Sequence, residues 1–279
     1  MNILYCGDSN VDDGLLISIL SLLKHTKEKL HIWIFTMEIS VNDHHFHPIS
    51  DGETQFLDHL VKQKNPENFV QKKDLSEQFL NELPTANLNT RFTPYCMLRL
   101  FADQFQDIPE RILYLDTDVV CRRDIRKYYH MNMESYEIAG TLDYYGKWFF
   151  RNHPFQMDYL NSGVLLLNLD RIRQSGLFSK CRQLCATKKM FMPDQSAINK
   201  LAVKKIMPRR YNEQRKLQKN TVLQHFTTNF RFFPWIHTLT VKPWQIDKMH
   251  HRLKLHEYDD ILEEYQTLCP DYKETCRNA

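Results

Sequence analysis

The stretch Arg111–Cys121, RILYLDTDVVC, constrains the fold of this chain more than any other. Ile112, Leu113, Tyr114 and Leu115 form a continuous apolar run of the kind that fills a strand buried on both faces of an α/β sheet. The run ends in Asp116-Thr117-Asp118, which places two carboxylates one residue apart. Burying an uncompensated charge costs far more than burying an unpaired polar group, so two neighbouring acids at a strand end suggest a cation between them and a ligand. A divalent metal carrying a phosphorylated ligand is the simplest such cation.

The text around this strand alternates in the same α/β sense. Asn2–Cys6 reads as a strand, residues 7–10 as a loop, and Leu15, Leu16, Ile19, Leu20 and Leu23 as the apolar stripe of a helix. His31–Thr36 is a second strand, which makes a βαβ crossover of the first part of the chain. Neither GxGxxG nor GxxxxGK[ST] occurs among its seven glycines, so a bound nucleotide is expected to be held by side chains and metal.

Residues 53–83 carry polar, helix-compatible text. Asn89–Phe105 reads as a helix with Tyr95, Leu98, Phe101, Ala102 and Phe105 on one face. Arg99 sits among them and requires a carboxylate, either a scaffold acid or one at a ligand site. After Ile138–Asp143 comes an aromatic loop, Tyr144–Tyr159, suited to a lid or acceptor surface. Asn161-Ser162-Gly163 precedes a strand over Val164–Asn168, and a helix is expected from Asp170 towards Lys188. Pro193 marks a helix start that leaves Asp194 as an N-cap or as a site residue. Arg209, Arg210, Arg215, Lys216 and Lys219 read as a solvated basic face, and Thr221–Thr227 as a strand carrying His225. The final fifty residues mix aromatic and basic side chains before an acidic helix, Glu257–Gln266, which suits either an anionic membrane surface or a packed cap.

With 279 residues, 42% hydrophobic, the chain fits one sizeable domain with a C-terminal addition. Its 37 basic and 34 acidic residues nearly balance, so no nucleic-acid partner is expected and any basic surface is local. Seven cysteines without CxxC or zinc spacing read as reduced thiols. The apolar run Leu15–Leu23 is too short to span a bilayer, and no signal segment opens the text, so a soluble, non-exported protein is expected.

Hard divalent cations prefer carboxylate oxygens and manganese also accepts imidazole, so Asp116, Asp118 and His225 make a plausible three-ligand face; a satisfied core histidine is the plainer reading of His225. Such a site would neutralise a leaving diphosphate and promote departure of a nucleoside diphosphate from the anomeric carbon of a sugar, with Lys242 adding positive charge.

Taken in order, the Asp8/Asn10 loop, Arg99, LYLDTDVV, YLNSGVLLLNLD, DQSAIN and HF…KPW resemble the retaining glycosyltransferases of family 8, of the GT-A fold, close to bacterial lipooligosaccharide galactosyltransferases. The resemblance runs from residue 1 to about residue 245. It implies a Rossmann-like mixed sheet flanked by helices with a small helical C-terminal extension. Residues 1–228 would form the transferase domain, and 229–279 an extension closing the site and touching membrane or acceptor.

The resemblance further implies a UDP-sugar donor, with Asp8 and Asn10 at the nucleoside end. Asp116, Asp118 and His225 would bind Mn2+ or Mg2+, Thr117 would contact the donor, Lys242 would touch the diphosphate, and Arg99, Asp143, Asn161, Asp194 and Gln195 would surround the sugar. A galactose or glucose would pass to a glycan, glycolipid or glycoprotein acceptor, at the cytoplasmic side and with peripheral contact to the plasma membrane. Gln195 would lie nearest the anomeric carbon. A glutamine amide is a poor nucleophile, which favours front-face substitution, with Asp194 as the reserve nucleophile. Two departures stand out: Val11 replaces an aromatic common in relatives, and Asn229–Thr240 lengthens the stretch before Lys242. Rival readings are a haloacid dehalogenase-type phosphohydrolase, whose acidic motif would fall near the start of its chain, and a non-catalytic sugar-nucleotide-binding homologue.

Overall fold

The computed structural model describes residues 1–41, 43–88, 94–149, 158–231 and 237–277. Strand β1 (Asn2–Cys6), helix α1 (Asp12–His25) and β2 (His31–Thr36) form the expected crossover, with β1 and β2 parallel from Asn2↔His31 to Cys6↔Phe35. Helix α2 (Asp51–Lys64) is capped by Ser50, whose Oγ accepts from Glu53 N at 2.9 Å. It leads to β3 (Phe69–Asp74). A 3₁₀ helix over Pro94–Gln104 precedes β4 (Arg111–Leu115) and β5 (Val119–Cys121). Then follow β6 (Ile138–Leu142), β7 (Leu160–Asn168), α3 (Leu169–Ser175), α4 (Leu177–Thr187), α5 (Pro193–Leu201), β8 (Lys204–Met207), β9 (Leu223–His225) and α6 (Asp259–Arg277).

Seven strands make the central sheet in the order β8-β6-β7-β4-β1-β2-β3. The pairings are parallel except those of β7, which runs antiparallel to both neighbours. Alternate residues fill the two faces. Ile3, Tyr5, Ile32, Ile34, Leu113 and Leu115 pack into one core, while Leu4, Trp33, Phe35, Ile112 and Tyr114 pack into the other. This two-sided burial explains why these strands read as unbroken apolar runs.

The chain moves outward from β1 through β2 to β3, then returns to β4 on the other side of β1. The carboxyl ends of β1 and β4 therefore flank a topological switch point, where open α/β sheets form their ligand crevices. Because β7 is antiparallel, its amino end lies at that same edge: Leu142 pairs with Leu160, and Asp116 N donates to Gly163 O at 2.8 Å. Asp8, Asp116, Asp143 and Asn161 are thus delivered to one rim by four strand ends.

Several elements differ from the sequence reading. The text of 53–83 holds the edge strand β3 between two helices, and β8 is a second unforeseen edge strand; each has one neighbour, so FVQKKD and KKIM lack the apolar signal of a central strand. The expected helix 170–188 breaks into α3 and α4 at Gly176, whose φ of 67° is left-handed. β7 begins at Leu160, so Asn161-Ser162-Gly163, expected to precede the strand, lies within it. The strand expected over 221–227 is confined to β9. The helix expected over Asn89–Phe105 is 3₁₀ over its described part; residues 89–93 lie outside the described residues, as do 150–157 of the aromatic loop and 232–236 of the lengthened stretch.

Helix α6 is longer than the acidic segment read for it and packs on α1 and α2. Ile261, Leu262, Tyr265 and Tyr272 are buried there; Tyr265 Oη donates to Asp13 Oδ1 at 2.6 Å, and Lys273 Nζ lies 2.9 Å from the same oxygen. All seven cysteines are unpaired. Among the described residues no helix is long and apolar enough to cross a membrane.

Candidate functional site

Asp116 and Asp118 lie on the turn between β4 and β5, closed by Val119 N donating to Asp116 O at 3.1 Å. β5 pairs antiparallel with β9 in the register Val119↔His225, which sets the imidazole beside the acidic turn. His225 Nε2 lies 3.1 Å from Asp118 Oδ1 and 3.5 Å from Asp116 Oδ2. Its other nitrogen, Nδ1, is 3.2 Å from Asn212 Oδ1, which fixes the ring with Nε2 towards the carboxylates. One atom from each of the three residues falls within 4.8 Å of the others, a mixed oxygen and imidazole set suited to a divalent cation such as manganese.

Backbone space at this point is fitted to the cluster. A Cβ built on Gly163 would lie 2.1 Å from His225 Cε1 and 2.6 Å from Asp116 Oδ2, so only glycine admits both side chains. Gly14, in the first turn of α1, similarly lets Thr117 O and the Trp244 ring approach, at 2.7 and 2.8 Å from such a Cβ.

Charge is balanced locally. Burial works against ionisation of Asp118, but His225 and then Lys242, whose Nζ contacts Asp118 Oδ2, hold its carboxyl below the usual range. Burial likewise opposes a charged His225, yet Asp118 and then Asp116 raise its affinity for a proton above the ordinary value. Lys242 also donates to Phe226 O at 3.2 Å and keeps 29% of its side chain exposed.

Arg99 is 3% exposed and stacks 3.9 Å above the Tyr114 ring. Its guanidinium spans two acids, with Nη2 3.2 Å from Asp116 Oδ1 and Nε 3.4 Å from Asp194 Oδ2; Nη1 donates to Ser162 O and Nε to Cys96 O at 2.8 Å. Tyr114 Oη donates to Asp116 Oδ1 at 2.6 Å, so Asp116 is oriented from two sides. Burial raises the Asp194 carboxyl above its ordinary range, against the pull of Arg99.

The remaining expected residues form a second cluster along β7. Asp143 Oδ1 accepts from Tyr145 N at 3.0 Å and Gly146 N at 2.5 Å; its Oδ2 accepts from Asn161 Nδ2 at 2.9 Å and Gln195 Nε2 at 3.3 Å. Gln195 Oε1 accepts from Ser162 N and Oγ at 2.9 and 3.1 Å. Asn161 Oδ1 accepts from Asn212 Nδ2 at 2.9 Å, which joins this cluster to His225. Asp8, buried at the end of β1, takes both polar groups of Asn10, N and Nδ2, each at 3.1 Å. Among the described residues no hydrogen bond ties Asp8 or Asn10 to the other candidates.

The sequence reading did not single out Asn212, Tyr114 as a ligand holder, or Gly163 as the spacer. Asn212-Glu213-Gln214, three consecutive polar residues that are all buried, carries no motif that marks it beforehand.

A mixed sheet with an acid–imidazole cluster at its switch point forms a candidate metal and ligand site. The profile of glycosyl transferase family 8 matches residues 2–248, and the chain belongs to that family. It is 28% identical to a lipopolysaccharide 1,2-glucosyltransferase of Escherichia coli over 76% of this chain and 62% of that protein. It is 26% identical to a lipopolysaccharide 1,3-galactosyltransferase of Salmonella typhimurium over 87% of this chain and 72% of the relative. The chain thus spans about three-fifths of the length of the Escherichia coli relative. Among solved structures, an active-site mutant of LgtC superposes with a TM-score of 0.66 at 16% identity, covering 94% of both chains. LgtC in complex with donor and acceptor sugar analogues gives 0.62 at 16% identity over 96% of both. The fold is of the GT-A type.

Proposed function

We propose that this protein transfers a hexose, galactose or glucose, from a UDP-sugar to a glycan acceptor of the lipopolysaccharide kind, with retention at the anomeric carbon. The observation that carries the reading is the cluster of Asp116, Asp118 and His225 at the switch point, spaced by Gly163. The glucosyl- and galactosyltransferase relatives support the choice of sugar.

Asp116, Asp118 and His225 would hold a divalent cation, which when bound supplies positive charge for a departing diphosphate. Lys242, partly exposed beside Asp118, adds a fixed positive charge on the same side. Asp8 and Asn10 receive the nucleoside end, and Thr117 contacts the donor. Arg99 orients Asp116 and, with Asp143, Asn161 and Gln195, bounds the sugar. Gln195 has its carbonyl committed to Ser162 and its amide nitrogen to Asp143, a locked arrangement that suits shaping the anomeric centre and not attacking it. Asp194 faces Arg99 and Cys96, so its carboxylate positions Arg99. These geometries favour front-face substitution, in which the leaving phosphate takes the acceptor proton; a trapped glycosyl-Asp194 would overturn it. Residues 229–279, through Lys242 and Trp244, close the site from the C-terminal side, and the protein works at the cytoplasmic side of the membrane.

Thermal unfolding with UDP-galactose and UDP-glucose, each with and without Mn2+, tests the reading, because a ligand bound only by the folded state stabilises it by mass action. A metal-dependent rise with one of the two is expected, lost in Asp118→Ala. Stabilisation indifferent to metal would overturn the metal assignment, and phosphate release from simple phosphomonoesters would overturn the reading in favour of a phosphohydrolase.

A further inference from the structure

Of the basic residues after β8, Arg209, Arg210, Lys216 and Lys219 are exposed, as a solvated face requires, but Arg215 is half-buried. Residues 208–220 hold five lysines and arginines against the single acid Glu213, and residues 144–149 hold Lys147 with no acid. Glu213 is 1% exposed and already committed, accepting from Arg209 Nε at 2.9 Å and Arg215 N at 3.0 Å.

These two segments converge on one ring. Arg215 Cζ lies 4.5 Å from the centroid of Tyr144, Arg209 Cζ 5.3 Å and Lys147 Nζ 5.3 Å. Arg215 forms no ion pair among the described residues; its Nη1 donates to Tyr145 Oη at 3.2 Å. Glu213 pairs with Arg209, so the repulsion at this ring falls mainly on Arg215, and the ring's quadrupole offsets only part of it. A protein whose overall charge is just +3 has thus concentrated cations at one point.

That point adjoins the reaction centre. Tyr144 follows Asp143, whose carboxylate touches Gln195 and Asn161. The two segments are bolted together by Gln214, which accepts from Tyr144 N at 2.8 Å and donates to Leu142 O at 3.0 Å. Asn212, three residues before Arg215, holds His225.

We propose that Arg215, with Arg209 and Lys147 around Tyr144, is a subsite for a phosphate group carried by the acceptor glycan. The assignment rests on the transferase reading above. Guanidinium forks match phosphate oxygens, and a stacked arginine is held ready for them. The nearness to Asp143 favours a phosphate on the acceptor sugar over a lipid headgroup.

The test uses core oligosaccharide released from lipopolysaccharide, with its phosphates and after their removal by hydrogen fluoride, titrated calorimetrically into the full chain. Wild type is expected to bind the phosphorylated form at least about tenfold more tightly, a preference that collapses in Arg215→Ala and partly returns in Arg215→Lys. Inorganic phosphate competes in wild type. Equal affinity for the two oligosaccharides, or an undiminished preference in a folded Arg215→Ala, overturns the proposal. Arg215-dependent binding to phosphatidylglycerol vesicles with no preference between oligosaccharides replaces it with a headgroup site. Absence of Mn2+-dependent UDP-hexose hydrolysis in wild type strikes the transferase reading itself, and so separates the two failures.

Discussion

Gly163 lies directly under the imidazole of His225: a methyl carbon at position 163 would come within 2.1 Å of Cε1. The glycine sits in β7, a strand paired on both sides with β4 and β6, so the clash is relieved by moving the ring and not the backbone. Gly163→Ala is therefore expected to lower Mn2+ affinity by about 10- to 100-fold, the range seen when ligand orientation is lost. Calorimetric titration of Mn2+ checks this, with circular dichroism showing a retained fold. Unchanged affinity would mean that His225 is no ligand.

Asn212→Ala removes the acceptor beside His225 Nδ1 without touching a ligand atom. The imidazole then turns or changes tautomer, and Mn2+ affinity is expected to fall about tenfold, less than in His225→Ala. Parallel Mn2+ titrations of both variants measure the ratio. A variant weaker than His225→Ala would indicate that Asn212 acts through the Asn161 cluster instead.

The central strands and the acidic turn were legible because each satisfies a strong local rule: two-sided burial makes β1, β2 and β4 unbroken apolar runs, and Asp116 and Asp118 break that pattern where the strand ends. Edge strands β3 and β8 were not legible, since a strand with one neighbour needs no apolar run and Lys72, Lys73, Lys204 and Lys205 read as surface. Gly163 reads only as a residue preceding a strand, because nothing local shows that β7 runs antiparallel and carries it under His225. Asn212 was invisible for the same reason: its partners, Asn161 and His225, lie 51 and 13 residues away along the chain.

Arg99→Met should destabilise the fold by about 3–5 kcal/mol, because it leaves the buried Asp194 without its cation and frees the carbonyls of Ser162 and Cys96. Adding Asp194→Asn should restore part of that loss by removing the uncompensated charge. Urea unfolding of both variants checks the pair. A double variant no more stable than Arg99→Met would show that the lost carbonyl bonds, and not the stranded acid, dominate.

Stability is also expected to decline with rising pH through the contact between α2 and α6. Glu53 is 1% exposed, and Tyr272 Oη donates to its Oε1 at 2.5 Å. Burial pushes the Glu53 carboxyl up from its ordinary 4.5 to about 7, although the Tyr272 bond opposes the shift. Below pH 4.5 folded and unfolded chains both hold this proton. Between 4.5 and 7 only the folded chain does, so each increment of pH favours unfolding, and the contribution is lost above 7. The shift corresponds to about 3 kcal/mol at most. Glu53→Gln, uncharged at every pH, should match wild type near pH 4.5 and exceed it at pH 8. Urea unfolding at the two values decides the matter; a variant whose advantage is the same at both, or larger at the lower one, would show that Glu53 does not retain its proton in the folded chain.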